Sequence, residues 1–264
     1  MRLFKLLALI LVLSQTLGCN PNMVREADDA TGEAGSIKAK EDGKGELYTN
    51  LAMEYMRQGQ LDIALQKIKK GVEVDPRNSN AHNVMGLIYQ RLGQMDLAED
   101  HMKRAVSLDR HNFYALNAYG SFLCGLKRYG EAYGHFDNAV KNPLNRYKEI
   151  ALTNAGVCAY EEGKREQAEN YLREALAANG RHPPALAQMA EISYDTGDFM
   201  SARTYLQRFL QVGKHTAKTL WVGIRTERKL GDRDTEASYR MLLRNNYPDS
   251  KEFRLMRELE QQSG

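Results

Sequence analysis

No stretch of this 264-residue chain holds the ~20 consecutive apolar residues that a mature bilayer-spanning helix requires. Charge of one sign is also lacking: 37 Lys and Arg stand against 34 Asp and Glu, well mixed, for a net +3. No basic stripe or polyacidic tail stands out, so no nucleic-acid partner is expected. Proline occurs only 6 times, and apolar residues recur at helical spacing almost throughout, which makes the body helical. Catalytic signatures are missing as well. His82, His101, His111, His135, His182 and His215 are scattered and form neither H-x-x-E-H nor H-E-x-x-H. There is no G-x-S-x-G, no Walker sequence and no dinucleotide-type glycine pattern. Cys124 and His135 sit at the end of one helix and within its partner and read as ordinary helical residues, and Glu161 with Glu162 reads as a solvated helix end. An enzyme is not expected, nor a metal, a cofactor or a small-molecule substrate. What remains is binding.

What is present begins with an address. Arg2 and Lys5 open the chain, and Leu6 to Leu17 is apolar apart from Ser14, Gln15 and Thr16. This fits the core of a secretory signal. Gly18 and Cys19 then end it as "LGCN", which resembles the lipobox of bacterial lipoproteins, although Thr16 departs from the leucine that is commoner there. That resemblance implies a signal peptide over 1–18 and an acylated Cys19. Because Asn20 rather than Asp follows, it also implies an outer-membrane anchor on the periplasmic face. Several acyl chains on one residue exceed the two-signal requirement for stable anchoring. From 19 to 44 the sequence carries few large apolar residues (Met23, Val24 and Ile37) and is expected to be a flexible tether. Its root-mean-square reach would be roughly 25–30 Å. Cys124 and Cys158 are the cysteines left in the body. An oxidising periplasm permits a disulfide, but nothing in their separation requires one, so two buried thiols are the expectation.

The body repeats. "LYTNLAMEYMRQGQLDIALQKIKKGVEVDP" from residue 47 matches "AHNVMGLIYQRLGQMDLAEDHMKRAVSLDR" from residue 81, with Gly59 on Gly93, Ala64 on Ala98, Tyr55 on Tyr89 and Asp75 on Asp109. The register continues to Gly120 and Ala132, slips by two in "NPLNRY", and resumes at Gly156 and Ala168. A small first-helix residue such as Gly86, Gly120 or Gly156 lets two helices approach closely. A glycine such as Gly93 closes the turn between them, and a small second-helix residue such as Ala98 packs back. One hairpin cannot bury its own face, so neighbours must stack. This pattern resembles the tetratricopeptide repeat. The expected fold is all-α, a right-handed superhelical solenoid of six helix hairpins starting near 45, 79, 113, 149, 183 and 217. The segment 250–262 forms a terminal helix that caps the open end, so that the repeat body runs over 45–262.

In this repeat type the first helices line a concave wall. The polar residues there are Thr49, Asn50, Asn83, Asn117, Thr153, Asn154 and Gln188. An amide both donates and accepts, which suits an extended or helical polypeptide. Met53, Met56, Leu87, Tyr114, Val157 and Tyr160 add adaptable apolar surface. The candidate partner-binding groove is therefore Asn50, Met53, Met56, Asn83, Leu87, Tyr114, Asn117 and Asn154. It lacks the Lys/Arg ring that grips a C-terminal carboxylate, which argues against a chaperone-tail adaptor.

Two stretches are more specific. "LNAYGSFLCGLKRYGEAY" (116–133) and "GIRTERKLGDRDTEASYRMLLRNNYPDS" (223–250) resemble the type IV pilus pilotin lipoproteins of Gram-negative bacteria, the PilF/PilW group. The lipobox, the polar tether, six repeats and the two-residue insertion agree, so the resemblance covers essentially the whole mature chain. It implies a protein that binds the pilus secretin subunit and promotes its outer-membrane delivery and multimerisation, and hence pilus biogenesis and twitching motility. It also implies a groove in the N-terminal repeats, which points to Leu47, Leu51, Met53, Tyr55, Met56, Leu87 and Tyr89, some of them hairpin core. Two other readings compete: an envelope scaffold that recruits peptidoglycan-remodelling enzymes, and a peptidoglycan- or protein-modifying enzyme with a polar cleft that the sequence does not show.

Overall fold

The computed structural model describes residues 30–261; the signal segment and Cys19 lie outside the described residues. Contacts divide the chain into two units, Met1–Lys40 and Glu41–Gly264. In the first, the described residues are helical. The second is the solenoid.

Thirteen α-helices and no strand occur among the described residues: α1 Ala30–Arg57, α2 Leu61–Val74, α3 Ser79–Arg91, α4 Met95–Leu108, α5 Phe113–Gly125, α6 Tyr129–Lys141, α7 Lys148–Glu161, α8 Arg165–Ala178, α9 Pro183–Asp195, α10 Phe199–Leu210, α11 Ala217–Leu230, α12 Arg233–Asn246 and α13 Lys251–Gln261. Odd and even helices pair into six antiparallel hairpins, and α13 packs on α11 and α12. None of the described helices is long and apolar enough to cross a membrane. One boundary differs from the sequence reading. α1 starts at Ala30 rather than near residue 45, so part of the expected tether is helical. Once the packed repeat has nucleated α1, propagation back through alanine, lysine and glutamate needs no further nucleus.

Close approach within each hairpin follows from small residues. A Cβ on Gly156 would lie 2.7 Å from Leu172 Cγ and 3.2 Å from the Ala168 carbonyl oxygen, so only glycine permits the observed α7–α8 spacing. Five of the six hairpin turns close on a glycine at positive φ, Gly93 at 74° for example, while the third turn uses Lys127 at φ 61°. The side chains that meet across these hairpins form the core, among them Ile68, Met102, Phe136, Leu172 and Leu206, each essentially fully buried. The final hairpin is sealed by Met256 of α13, which is buried against Leu220, Ile224 and Leu243.

The inserted loop over residues 142–147, between α6 and α7, is tightly bonded. Asn142 Nδ2 donates to the His111 carbonyl at 2.6 Å and Asn145 Nδ2 to the Ala139 carbonyl at 2.8 Å. Their Oδ1 atoms accept from the backbone N–H groups of Leu144 and Tyr147. At the far ends of α5 and α7 the structure corrects the cysteine expectation. Cys124 of α5 and Cys158 of α7 form a disulfide, with Cα atoms 5.8 Å apart. The separation of 34 residues hides this, because the local repeat here is 36, from Gly120 to Gly156. The two cysteines thus occupy non-equivalent positions, and only the stacking of α5 on α7 brings them together.

Candidate functional site

A concavity of about 930 Å³ runs along the first helices of the first three hairpins. It exists because α3 packs on α5 while the second helices stand behind them, leaving one stripe of each first helix uncovered. On α1 the stripe is Glu46, Thr49, Asn50, Met53, Met56 and Arg57. On α3 it is Asn80, Asn83, Val84, Leu87 and Gln90, and on α5 it is Tyr114, Asn117, Ala118 and Ser121. Residues three, four and seven apart share a helix face, so the stripes are continuous.

Seven of the eight groove residues expected from the sequence line this cavity: Asn50, Met53, Met56, Asn83, Leu87, Tyr114 and Asn117. Asn154 does not. Its Nδ2 donates to Asn117 Oδ1 at 3.0 Å, which joins α7 to α5 at the margin of the groove. Of the residues that the pilotin resemblance pointed to, Met53, Met56 and Leu87 face the cavity, Tyr55 and Tyr89 belong to the hairpin core as expected for part of the set, and Leu47 and Leu51 lie outside the cavity. Tyr89 is buried and stacks on His101 with ring centroids 5.5 Å apart, and Tyr55 packs against the core. Leu47 and Leu51 are exposed and do not line the groove. Further along the wall, the Thr153 hydroxyl donates to the Glu149 carbonyl, Gln188 is buried, and the Tyr160 hydroxyl donates to the Asp195 carboxylate. Gln90 and Ser121 were missed, although each extends a stripe by one further turn and could have been found from that spacing alone.

The groove is close to neutral. Glu46 and Arg57 are its only charged lining residues, and Arg57 pairs with the exposed Glu54 at 3.4 Å. Its most informative atom is Asn83 Oδ1, which is buried and has no hydrogen-bond partner among the described residues. A buried amide left unpaired costs free energy, so this position favours a ligand that supplies a donor once the side chain turns toward it. The wall is firm: Arg91 Nη1 donates to the Met56 carbonyl at 2.7 Å, fastening the end of α1 to α3. Behind Asn83, His82 Nε2 donates to the Pro76 carbonyl, and its Nδ1 accepts from His101 Nδ1 at 2.9 Å. Burial holds both imidazoles below their ordinary pKa, so the pair is neutral packing material.

No cluster of three potential metal ligands occurs among the described residues. Cys124 is spent in the disulfide, and His135 packs against Tyr119 at 4.6 Å between centroids. The most perturbed carboxylate is Glu99. Hydrogen bonds from Lys103 and Arg128 lower its pKa to about 2, and it accepts from the Tyr119 hydroxyl on the outer side of the third hairpin. That is an inter-helix tie, with no second convergent group beside it.

Two segments match models of the tetratricopeptide repeat, residues 49–115 and 159–215. The type IV pilus assembly protein PilF of Pseudomonas aeruginosa is 30% identical over 208 residues, which is 79% of this chain and 82% of that protein. The chain belongs to the PilF/PilW family of type IV pilus biogenesis proteins. The solved structure of P. aeruginosa PilF superposes with a TM-score of 0.71 at 30% identity, covering 83% of this chain and 99% of that one. PilW, described as a widely conserved type IV pilus biogenesis factor, gives 0.71 at 32% identity over 80% of this chain and 97% of its own. A Thermus thermophilus tetratricopeptide protein at 18% identity and a TM-score of 0.58 shares the fold alone. The groove of this chain lies in the N-terminal half of its solenoid.

Proposed function

We propose that this PilF/PilW-family protein is an outer-membrane lipoprotein pilotin. Acylated at Cys19, it binds the type IV pilus secretin subunit at the periplasmic face and promotes the subunit's delivery and multimerisation. The observation that carries the binding half is the groove itself. Asn83 and Asn117 at equivalent repeat positions, with Asn50 next to the first repeat's equivalent Thr49, stand beside Met53, Met56 and Leu87, and Asn83 Oδ1 has no partner among the described residues. Such a wall offers hydrogen bonds to peptide backbone and an adaptable apolar floor to side chains, the combination a helix or an extended segment needs. The lipid half supplies locality: a chain held at the membrane meets membrane-bound partners at a raised effective concentration. No bond is made or broken in this role.

The test is the level of heat-resistant secretin oligomers in cells. Deletion of the gene should abolish them, and Cys19→Ser should leave them mislocalised. Unchanged oligomers in the outer membrane would sink the reading. Co-purification then distinguishes partners: recovery of peptidoglycan-remodelling enzymes without secretin would make the protein an envelope scaffold instead.

A further inference from the structure

The first helices of all six hairpins start, and the second helices end, at one edge of the solenoid. The inter-repeat loops form that edge, and successive loops there carry Arg77, Arg110, Arg146, Arg181 and Lys214. All five side chains are exposed, and none makes an ion pair among the described residues. Asp75 and Asp109 share these loops, but each accepts a backbone N–H two residues on, from Arg77 and His111, and so serves the turn. The opposite edge is more mixed, with Lys127, Arg165 and Arg233 exposed and outside any ion pair among the described residues but other cations paired. There Arg128 is neutralised by Glu99 and Glu131, and Lys164 by Glu162. With neighbouring first helices ~10 Å apart, five loops set their cations in a row roughly 40 Å long.

The middle of that row carries an apolar tip. Leu144 is 75% exposed and Tyr147 is 50% exposed, between the cations of Lys141, Arg146 and Lys148. The tip is built rather than loose. Asn142 and Asn145 are buried and use both ends of their amides to hold the loop, which leaves Leu144 pointing away from the body. An exposed leucine and tyrosine ringed by lysine and arginine match the layers of a lipid interface, where charge meets headgroups and apolar groups enter the acyl boundary. A row of basic residues adds attraction to an anionic leaflet that acts within a Debye length.

We propose that the inter-repeat-loop edge docks on an anionic phospholipid surface, with Arg110, Arg146 and Arg181 on the headgroups and Leu144 inserted beside them. The proposal rests on the lipid-anchored placement proposed above and is independent of which partner fills the groove. The concave wall is built mainly from the faces of the first helices, and only Asn78, Asn80 and Tyr114 at their starts reach its rim. A docked edge therefore leaves the groove open to the periplasm and fixes its orientation.

The experiment uses the processed form, residues 19–264, with Cys19→Ser so that no acyl chain contributes. It is sedimented with large vesicles of phosphatidylethanolamine and phosphatidylglycerol at 3:1, and in parallel with phosphatidylcholine alone. Binding to the anionic vesicles alone is expected, with loss in 0.5 M NaCl. The triple variant Arg110→Glu/Arg146→Glu/Arg181→Glu should bind at least tenfold more weakly, Leu144→Asp severalfold more weakly, and Lys127→Glu on the opposite edge should bind like the parent. Equal binding by parent and triple variant, or no preference for the anionic lipid, overturns the proposal. If charge reversal disturbs the circular-dichroism melt, the triple Arg→Gln variant, together with the lipid-charge and salt series on the parent, decides in its place. Secretin co-purification is read separately. Should the triple variant keep its lipid binding but lose the secretin, the edge belongs to an acidic protein segment and the lipid assignment falls. Should lipid binding depend on the edge while secretin binds neither protein, the groove reading fails and this one stands.

Discussion

The Cys124–Cys158 bond is the feature whose removal has the largest calculable effect. It closes a loop of 34 residues, and the chain-entropy relation for such a loop gives about 3.8 kcal/mol of stabilisation at 25 °C. For a domain of this size, about 1 kcal/mol moves the midpoint by roughly 2–4 °C, so reduction should lower it by about 8–15 °C. Both sulfurs are buried, with Cys158 fully so. Reductant must therefore be present through an unfolding and refolding cycle rather than merely added to the native protein. The assay is a thermal melt followed by circular dichroism, with and without a phosphine reductant, alongside the double variant Cys124→Ala/Cys158→Ala. The double variant should melt slightly below the reduced parent, because it also loses two buried sulfur atoms, and it should ignore reductant. Hydrogen exchange should localise the loss to α5 and α7. A midpoint that shifts by less than about 2 °C on full reduction would refute the entropic argument. Free thiols in protein isolated from the native host without reductant would refute the bond itself.

The remaining predictions concern the scaffold. Gly156→Ala places a Cβ 2.7 Å from the branched Cγ of the buried Leu172. An overpacking cost of about 1–3 kcal/mol then outweighs the ~1 kcal/mol gained in helix propensity. Gly134→Ala, at a helical position with nothing within 4 Å of the new Cβ, should instead stabilise by about 0.5–1 kcal/mol. Opposite signs in urea titrations are expected, and equal signs would mean the α7–α8 approach is not limiting. Lys127→Gly relieves the one non-glycine residue at positive φ and should stabilise by roughly 0.5–1 kcal/mol; a loss there would show that the lysine side chain contributes more than its backbone costs. Burial lowers the pKa of His82, His101, His135, His182 and His215 alike. The unfolded chain therefore binds more protons below about pH 6.5, and stability should fall as the pH drops from 7 toward 5. Glu99, held at about 2, adds its own loss only below about pH 4.5. A flat stability profile between pH 7 and 5 would contradict the neutral His82–His101 pair.

The hairpin plan was legible because it is periodic. Helix starts expected near 79, 113, 183 and 217 fall on Ser79, Phe113, Pro183 and Ala217, each set by the same recurring small residues and turn glycines. The groove stripes were legible for the same reason, since equivalent positions on stacked hairpins share one wall. The two-residue slip was legible too, but its structural consequences were not. The disulfide joins residues displaced from equivalence by the two-residue insertion, and Lys127 does a glycine's work in a turn whose neighbours all use glycine. Apolar character alone does not say which face of α1 is turned to the cavity, and Leu47 and Leu51 lie off it.

Why the open wall stops at the third hairpin follows from where its amides are spent. Asn50, Asn83 and Asn117 all face the cavity, but Asn117 already accepts from Asn154. Beyond that point the concave polar groups bond within the solenoid, Thr153 to its own helix and Tyr160 across to Asp195. The disulfide lies at the same junction and locks α5 to α7. A polypeptide entering the groove from α1 thus meets an exposed amide on the first hairpin, a buried unpaired one on the second, a shared one on the third and none on the fourth. Because buried polar groups gain from a ligand only when the protein has left them unpaired, the proposed partner should draw its affinity from the first three hairpins. Amide-to-leucine changes should therefore matter in the order Asn83, Asn50, Asn117, Asn154 when secretin capture is measured. A dominant effect at Asn154 would place the partner on the C-terminal half and overturn this account of the wall.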